Sequence, residues 1–128
     1  MNDYAIILGI SSGMGKATAK ELISKGINIY GIDIRKSTEL LDELESIGKT
    51  TKASVHFKKM SATNQEKRDE VIQHLLSFGN NTRIKILLHS LAFGALKPFI
   101  SSDNNEILTK QNIDMTLDVM SNSLIYWS

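Results

Sequence analysis

The sequence predicts an α/β fold of three layers, in which helices cover both faces of a parallel β-sheet. Short apolar runs alternate four times with segments of helical periodicity, and the connections between them are short. Connections of this kind favour parallel strands joined by right-handed crossovers. The expected strand order is 3-2-1-4, which makes these strands part of a larger doubly wound sheet. The 128 residues suffice for one domain, residues 1–128, with its own core.

Four apolar runs predict the strands. They cover residues 4–8, 27–32, 54–59 and 84–89. Gly9 closes the first strand, and the second ends at Asp33. The third run is the most polar, which is typical of a strand at the edge of a sheet. The fourth run has the pattern of the most buried strand.

Four segments with apolar residues at three- and four-residue spacing predict the helices. The expected first residues or N-caps are Met14, Thr38, Asn64 and Thr109. The first three helices are expected to end at glycines, which are Gly26, Gly48 and Gly79. The third helix is expected to bury five apolar side chains, which are Val71, Ile72, Leu75, Leu76 and Phe78. The last helix is expected to continue to the end of the sequence.

A glycine-rich turn joins the first strand to the first helix. Its residues are Gly9, Ile10, Ser11, Ser12, Gly13, Met14 and Gly15. Gly9 permits a tight turn, Gly13 lets a phosphate approach the backbone, and Gly15 permits close packing of the helix. The free N–H groups at the start of the helix favour an anion, and the two serine hydroxyls add donors. The turn therefore predicts a nucleotide-phosphate site, and the alternative interpretation is a purely structural turn.

The same turn differs from the phosphate loop of nucleoside triphosphatases. Gly15-Lys16 resembles the end of that loop, which requires an earlier glycine and a following serine or threonine. Ile10 and Ala17 occupy those two positions. The magnesium-binding hydroxyl is therefore missing, which argues against a triphosphatase.

Asp33 follows the second strand at roughly the 20-residue spacing of dinucleotide-binding folds. A carboxylate at this position can accept hydrogen bonds from the adenosine ribose and repel a 2′-phosphate. NAD is therefore the expected cofactor. NADP stays open as an alternative because Arg35 and Lys36 could approach a 2′-phosphate, and a turn-forming role for Asp33 is also open.

Two motifs together resemble the short-chain dehydrogenase/reductase family. The first is the Gly9-x-x-x-Gly13-x-Gly15 spacing, and the second is Leu-Leu-His-Ser-Leu-Ala-Phe at residues 87–93. The second motif lies where most members carry an Asn-Asn-Ala-Gly turn against the cofactor, and its His-Ser form resembles the enoyl-acyl-carrier-protein reductase branch. The resemblance implies a Rossmann-like NAD(P)-binding domain. It also implies that further residues lie at the cofactor, which are Ile34, Ser61, His89, Ser90 and Leu91.

The resemblance implies that the whole enzyme is an NAD(P)H-dependent reductase of enoyl-thioester or carbonyl substrates. The family's tyrosine and lysine follow a fifth strand that this sequence lacks. Tyr4 and Tyr30 lie on early strands without a lysine at the family's spacing. The expectation is therefore cofactor binding with no catalytic residue in this chain. A non-enzymatic NAD(P)-binding or sensor module that acts through a partner is the alternative.

Composition excludes several other classes. A net charge of +1 gives no reason to expect nucleic acid or an anionic membrane as a partner. The absence of cysteine excludes disulfides and cysteine metal sites, and with no signal peptide it favours the cytoplasm. No metal site is expected. A homo-oligomer is expected through the open edge of the fourth strand or through the last helix, whose apolar stripe is Ile113, Leu117, Met120, Leu124 and Trp127.

Overall fold

Four parallel strands form one sheet in the order β3-β2-β1-β4 in the computed structural model, which describes residues 2–11 and 13–128. The strands are β1 (Asn2–Leu8), β2 (Asn28–Asp33), β3 (Val55–Lys59) and β4 (Thr82–His89). The helices are α1 (Gly13–Ser24), α2 (Thr38–Thr51), α3 (Gln65–Ser77), α4 (Lys110–Leu117) and α5 (Ser123–Trp127). The predicted α/β class and strand order are confirmed. The chain divides into two compact units, one that ends at Ser90 and one that spans Leu91–Ser128.

One face of the sheet packs against α1 and α2 and is called the α1–α2 face below. The register aligns Ala5 with Ile29 and Ile7 with Gly31, which places the side chains of Ala5, Ile7 and Ile29 on this face. The buried residues of this cluster are Ala5, Ile7, Ile10, Ala19, Ile23, Ile29, Leu40 and Leu44. Each fully buried leucine or isoleucine contributes about 1.5–3 kcal/mol to folding. This face therefore contributes a large share of the stability of the first unit.

The opposite face packs against α3 and is called the α3 face. Its buried residues include Tyr4 and Tyr30 from the sheet and Val71 and Leu75 from α3. A cluster of rings joins the two layers, and its members are Tyr4, Tyr30, His56, His74 and Phe78. The Tyr30 hydroxyl and His74 Nδ1 are 2.9 Å apart and form a hydrogen bond. The α3 face is therefore held by aromatic and polar contacts as well as by aliphatic burial.

The predicted ends of α2 were wrong at both termini. Ser37, not Thr38, is the N-cap, because its side chain accepts a hydrogen bond from the Leu40 N–H at 3.3 Å. Gly48 lies inside the helix, which continues to Thr51 and ends at Lys52 in the left-handed conformation. A Cβ at Gly48 would overlap the carbonyl oxygen of Ala53. This glycine therefore permits a close approach of the following chain instead of ending the helix.

The predicted burial of α3 and β4 was wrong in part. Ile72 and Leu76 are exposed, whereas Val71 and Leu75 are buried as predicted. The fourth strand is an edge strand of this sheet, and its Ile84 is 43% exposed. The edge position of β4 explains why Ile84 is exposed, because within the described residues only β1 pairs with β4. The polar third strand lies at the other edge, as predicted.

The second unit contains an irregular segment followed by a helical segment. Thr109 caps α4 and exchanges two hydrogen bonds with Asn112, a capping box. The helical segment continues from Lys110 to Trp127, as predicted, but it is not α-helical throughout. Residues Asp118–Asn122 form a π-helical turn in which the Ser123 N–H donates to the Asp118 carbonyl. The Ser123 hydroxyl also donates to the Val119 carbonyl at 2.6 Å, a bond typical of such irregular helical turns.

Candidate functional site

The candidate site lies where the carboxyl ends of β1, β2 and β4 meet. Leu8, the last residue of β1, is aligned with Ile32 on one side and His89 on the other. The Gly9 N–H donates to the Ile32 carbonyl at 2.8 Å, which ties the start of the glycine turn to β2. The carboxyl end of a parallel sheet is where doubly wound folds bind their ligands. The first part of the predicted site therefore occupies the expected edge.

Ile10 fixes the glycine turn to the core. Its side chain is 1% exposed and lies over Gly31 of β2. A Cβ at Gly31 would be 2.6 Å from Ile10 Cδ1, so a larger residue there would displace the turn. Gly31 was missed by the sequence analysis. A glycine inside an otherwise apolar strand is the signal that could have found it, because such a glycine often marks a close approach.

Gly13 and Gly15 have different roles at the start of α1. A Cβ at Gly15 would overlap the carbonyl oxygen of Gly9, so this position requires glycine for the turn to close on itself. Gly13 has a φ of +59°, and a Cβ there would meet nothing within 4 Å. The space beside Gly13 is therefore open at the end of α1 where N–H groups lack helical partners. Met14 is exposed in the first turn, and Ser12 lies outside the described residues.

Asp33 and the glycine turn are joined by direct hydrogen bonds. Asp33 Oδ2 accepts from the Ser11 N–H at 3.0 Å and from the Ser11 hydroxyl at 2.7 Å. Asp33 Oδ1 accepts from the Arg35 N–H at 3.0 Å. The carboxylate is half-buried, and the following residue, Ile34, is exposed. The sequence analysis assigned Ser11 to the cofactor phosphates and Asp33 to the ribose. The structure shows that these two residues are in direct contact.

The chain after β3 approaches the same edge. The Met60 N–H donates to the Asp33 carbonyl at 2.9 Å, and Met60 is buried. Ser61 follows directly and shares a 2.8 Å hydrogen bond between its hydroxyl and that of Thr63. Its hydroxyl also accepts from the Thr63 N–H at 3.3 Å. Ser61 is therefore near Asp33 in the fold, and its side chain is engaged in a local turn.

The predicted residues after β4 divide between the two units. His89 is half-buried at the end of β4, next to Leu8. The Ser90 N–H donates to the Leu8 carbonyl at 2.9 Å, so Ser90 lies beside the start of the glycine turn. Leu91 is the first residue of the second unit.

The described residues of this edge suit a dinucleotide. An open glycine position precedes free N–H groups, and Asp33 retains acceptor capacity because a carboxylate offers about four acceptor positions.

Burial raises the pKa of both Tyr4 and Tyr30, which lie in the α3 face. Across residues 2–11 and 13–128, no three histidine or acidic side chains are grouped as a metal would require.

The strand order and the glycine turn together define a Rossmann-like α/β domain. A family model described as short chain dehydrogenase matches residues 3–128. The chain belongs to the short-chain dehydrogenase family.

Relatives of this chain are oxidoreductases by name. A very-long-chain 3-oxoacyl-CoA reductase of Candida glabrata is 30% identical, and the alignment covers 96% of this chain and 35% of that protein. A 3-oxoacyl-[acyl-carrier protein] reductase of Brucella melitensis in complex with NAD has a similar fold, with a TM-score of 0.76 at 20% identity. That match covers 99% of this chain and 46% of the other.

A second solved structure with the same fold is L-sorbose reductase of Gluconobacter frateurii, complexed with NADPH and L-sorbose. Its TM-score is 0.70 at 18% identity, and the match covers 97% of this chain and 44% of that one. The present chain thus spans about a third of the curated relative and about half of these two structures. Within the described ranges, no helix is both long and apolar enough to cross a bilayer.

Proposed function

We propose that this chain binds a nicotinamide dinucleotide at the carboxyl edge of its sheet, as the cofactor-binding part of an NAD(P)H-dependent reductase. One observation carries the proposal. The glycine turn and Asp33, the two features that dinucleotide-binding folds use for the pyrophosphate and the ribose, are hydrogen-bonded to each other through Ser11. Family membership supports the same conclusion, because the family's solved members include complexes with NAD and with NADPH.

The residues of this edge have distinct proposed roles. The open backbone at Gly13 and the N–H groups at the start of α1 receive the pyrophosphate. Asp33 accepts a hydrogen bond from the adenosine ribose, and Ile34 and Ser61 lie toward the adenine. His89, Ser90 and Leu91 contribute on the β4 side. Ser12 adds a hydroxyl donor, whereas Ser11 does not, because its N–H and its hydroxyl both donate to Asp33.

NAD is the preferred cofactor in this proposal. Asp33 is an acidic group hydrogen-bonded to the glycine turn, and a 2′-phosphate placed near it would meet a like charge. Arg35 and Lys36 are exposed, so NADP binding remains the alternative if either side chain turns toward that phosphate. The bound cofactor would supply the hydride, and this chain would hold it in place.

The proposed substrates of the whole enzyme are enoyl thioesters or carbonyl compounds. The names of the relatives, which are 3-oxoacyl reductases, favour the carbonyl class. The His89-Ser90 turn is what favours the enoyl class. The 128-residue chain alone is expected to bind cofactor without reducing either class, because Tyr4 and Tyr30 are buried in the α3 face and the Tyr126 hydroxyl donates to Asp118.

Self-association and a cytoplasmic location are further parts of this proposal. Four members of the predicted apolar stripe are exposed, and they are Ile113, Leu117, Met120 and Leu124. An apolar stripe of this length on a helix surface is typical of an interface. Light scattering on the purified chain tests this, and a monomer at high protein concentration would contradict it.

The cofactor site is tested by Gly13→Asp. Asp tolerates a positive φ better than most residues, and its carboxylate would project into the space assigned to the pyrophosphate. We expect NADH affinity, measured by titration calorimetry, to fall by about tenfold or more, because a like charge and a lost anion contact oppose binding.

Gly79→Asp is the matched control. Gly79 also has a positive φ, +96°, and open space around its missing Cβ, but it follows α3 and lies outside the site. Circular dichroism of both variants checks that each of them folds. Equal NADH affinity for Gly13→Asp and Gly79→Asp would show that the turn does not bind the pyrophosphate.

A further inference from the structure

The Asp33 carboxylate is hydrogen-bonded to the glycine turn through one of its two oxygens. Oδ2 accepts two hydrogen bonds from Ser11, one from the N–H at 3.0 Å and one from the hydroxyl at 2.7 Å. Among the described residues, Oδ1 accepts a hydrogen bond only from the Arg35 N–H, at 3.0 Å. A carboxylate has about four acceptor positions, so the remaining capacity is on Oδ1. Oδ2 is therefore occupied by the glycine turn, and Oδ1 is the oxygen that can accept a further hydrogen bond from a ligand.

We infer that Ser11 is a positioning residue that sets the cofactor preference through Asp33. Its hydroxyl occupies Oδ2 and orients the carboxylate so that Oδ1 is the atom that receives a ribose hydroxyl. The negative charge is thereby fixed where a 2′-phosphate would be rejected. This inference rests on the proposed function, because it assumes that a dinucleotide binds at this edge.

The physical reason is that an aspartate carboxylate is weakly restrained on its own. Its terminal torsion has a broad energy profile, so neighbouring donors decide its orientation. The Ser11 hydroxyl makes the shortest of the three hydrogen bonds to Asp33. Without the hydroxyl the carboxylate can rotate toward solvent, which weakens both its attraction for a ribose hydroxyl and its repulsion of a 2′-phosphate.

A merely structural role for Ser11 would have a different consequence. The pyrophosphate is common to NADH and NADPH, so a distorted glycine turn would weaken both cofactors by the same factor. Loss of orientation at Asp33 would weaken NADH much more than NADPH. The ratio of the two dissociation constants is therefore the quantity that separates positioning from folding.

The test measures both dissociation constants for the parent chain, Ser11→Ala and Ser11→Thr. For Ser11→Ala we expect NADH affinity to fall roughly five- to tenfold and NADPH affinity by less than about twofold, since one charge-assisted hydrogen bond is lost at Asp33. Ser11→Thr retains the hydroxyl and is expected to restore the parent ratio. Ser77→Ala is the control, because the Ser77 hydroxyl donates only to its own helix, at the His74 carbonyl.

A double substitution completes the test. In an Asp33→Ala background, Ser11→Ala is expected to leave the NADH-to-NADPH ratio unchanged, because the group it positions is absent. An equal loss of both cofactors, or an unchanged ratio in Ser11→Ala, would overturn the positioning role while leaving the dinucleotide site intact. A parent chain that binds neither cofactor would contradict the proposed function itself and this inference with it.

Discussion

The two faces of the sheet are built from different kinds of side chain. The glycine turn of the candidate site packs on one face, and the titratable rings lie on the other. The α1–α2 face is built from aliphatic side chains and includes Ile10 of the glycine turn. The α3 face contains two tyrosines and two histidines that contact one another and Phe78. The site is therefore anchored to the face that contains no titratable group in its buried cluster. The histidines whose protonation could change stability, His56 and His74, lie on the α3 face.

The largest expected effect is on the α1–α2 side, at Gly15→Ala. The new Cβ would overlap the Gly9 carbonyl oxygen, and a backbone atom cannot rotate away as a side chain can. We expect a loss of about 3 kcal/mol or more in the free energy of unfolding, measured by urea denaturation. Gly79→Ala is the control for a methyl group added without overlap, because nothing lies within 4 Å of its Cβ; its φ of +96° strains an alanine, so a loss of about 1–2 kcal/mol is expected there. Equal losses in the two variants would refute the close approach at Gly15.

An intermediate effect is expected from paired leucine substitutions on the two helical layers. Leu44 of α2 is 0% exposed, whereas Leu76 of α3 is 66% exposed. Leu44→Ala is expected to lower the unfolding free energy by about 2–5 kcal/mol, because it leaves a cavity in the aliphatic cluster. Leu76→Ala is expected to change it by about 0.5 kcal/mol or less. A large loss in Leu76→Ala would mean that this surface is covered in solution, for example by a second copy of the chain.

The smallest effect is expected on the α3 face and depends on pH. Burial, with a smaller contribution from nearby His74, lowers the pKa of His56. The unfolded chain then binds this proton more readily than the folded one. Stability is therefore complete above the ordinary histidine pKa of about 6.5 and declines as the pH falls toward the lower pKa of the folded state.

Urea denaturation at a series of pH values measures this dependence. His56→Phe keeps a ring between Tyr30 and Phe78 and removes the titrating group, so its stability is expected to fall less on acidification than that of the parent. Tyr30→Phe is the control, because it removes a hydroxyl and leaves His56 in place. If the parent and His56→Phe lose stability equally, the acid sensitivity originates elsewhere, for example in the Lys58–Glu70 pair.

The sequence was sufficient for the strand order and for most element positions, because alternation of apolar runs and helical stripes is a local pattern. Burial was harder to predict, since a stripe does not show which of its residues a neighbour covers. Ile72 and Leu76 have the same spacing as Val71 and Leu75, yet only the latter pair is buried. The misassigned end at Gly48 has the same origin. Its reason for being glycine is the Ala53 carbonyl, a contact that no local pattern reveals.

For the candidate site, the sequence indicated the glycine turn and Asp33 but not how they are connected. The bonds between Ser11 and Asp33 join residues 22 positions apart, and no periodicity encodes such a pair. The contact of Ile10 with Gly31 is equally non-local. The sequence therefore predicted that the glycine turn and Asp33 share this edge but missed Gly31, and the register of β1 against β2 determined which residues touch.

The seating of Ile10 on Gly31 also limits how far the glycine turn can be transferred to another protein. A nucleotide-binding loop is often treated as a sequence that can be grafted into any strand-to-helix connection. Here the Ile10 side chain of the loop packs into the space left by the missing side chain of Gly31 on the adjacent strand. The loop therefore requires a glycine at that position of the strand. A host sheet with a larger residue at that position would push the grafted turn out of shape. The transferable module is therefore the loop together with one residue of its neighbouring strand.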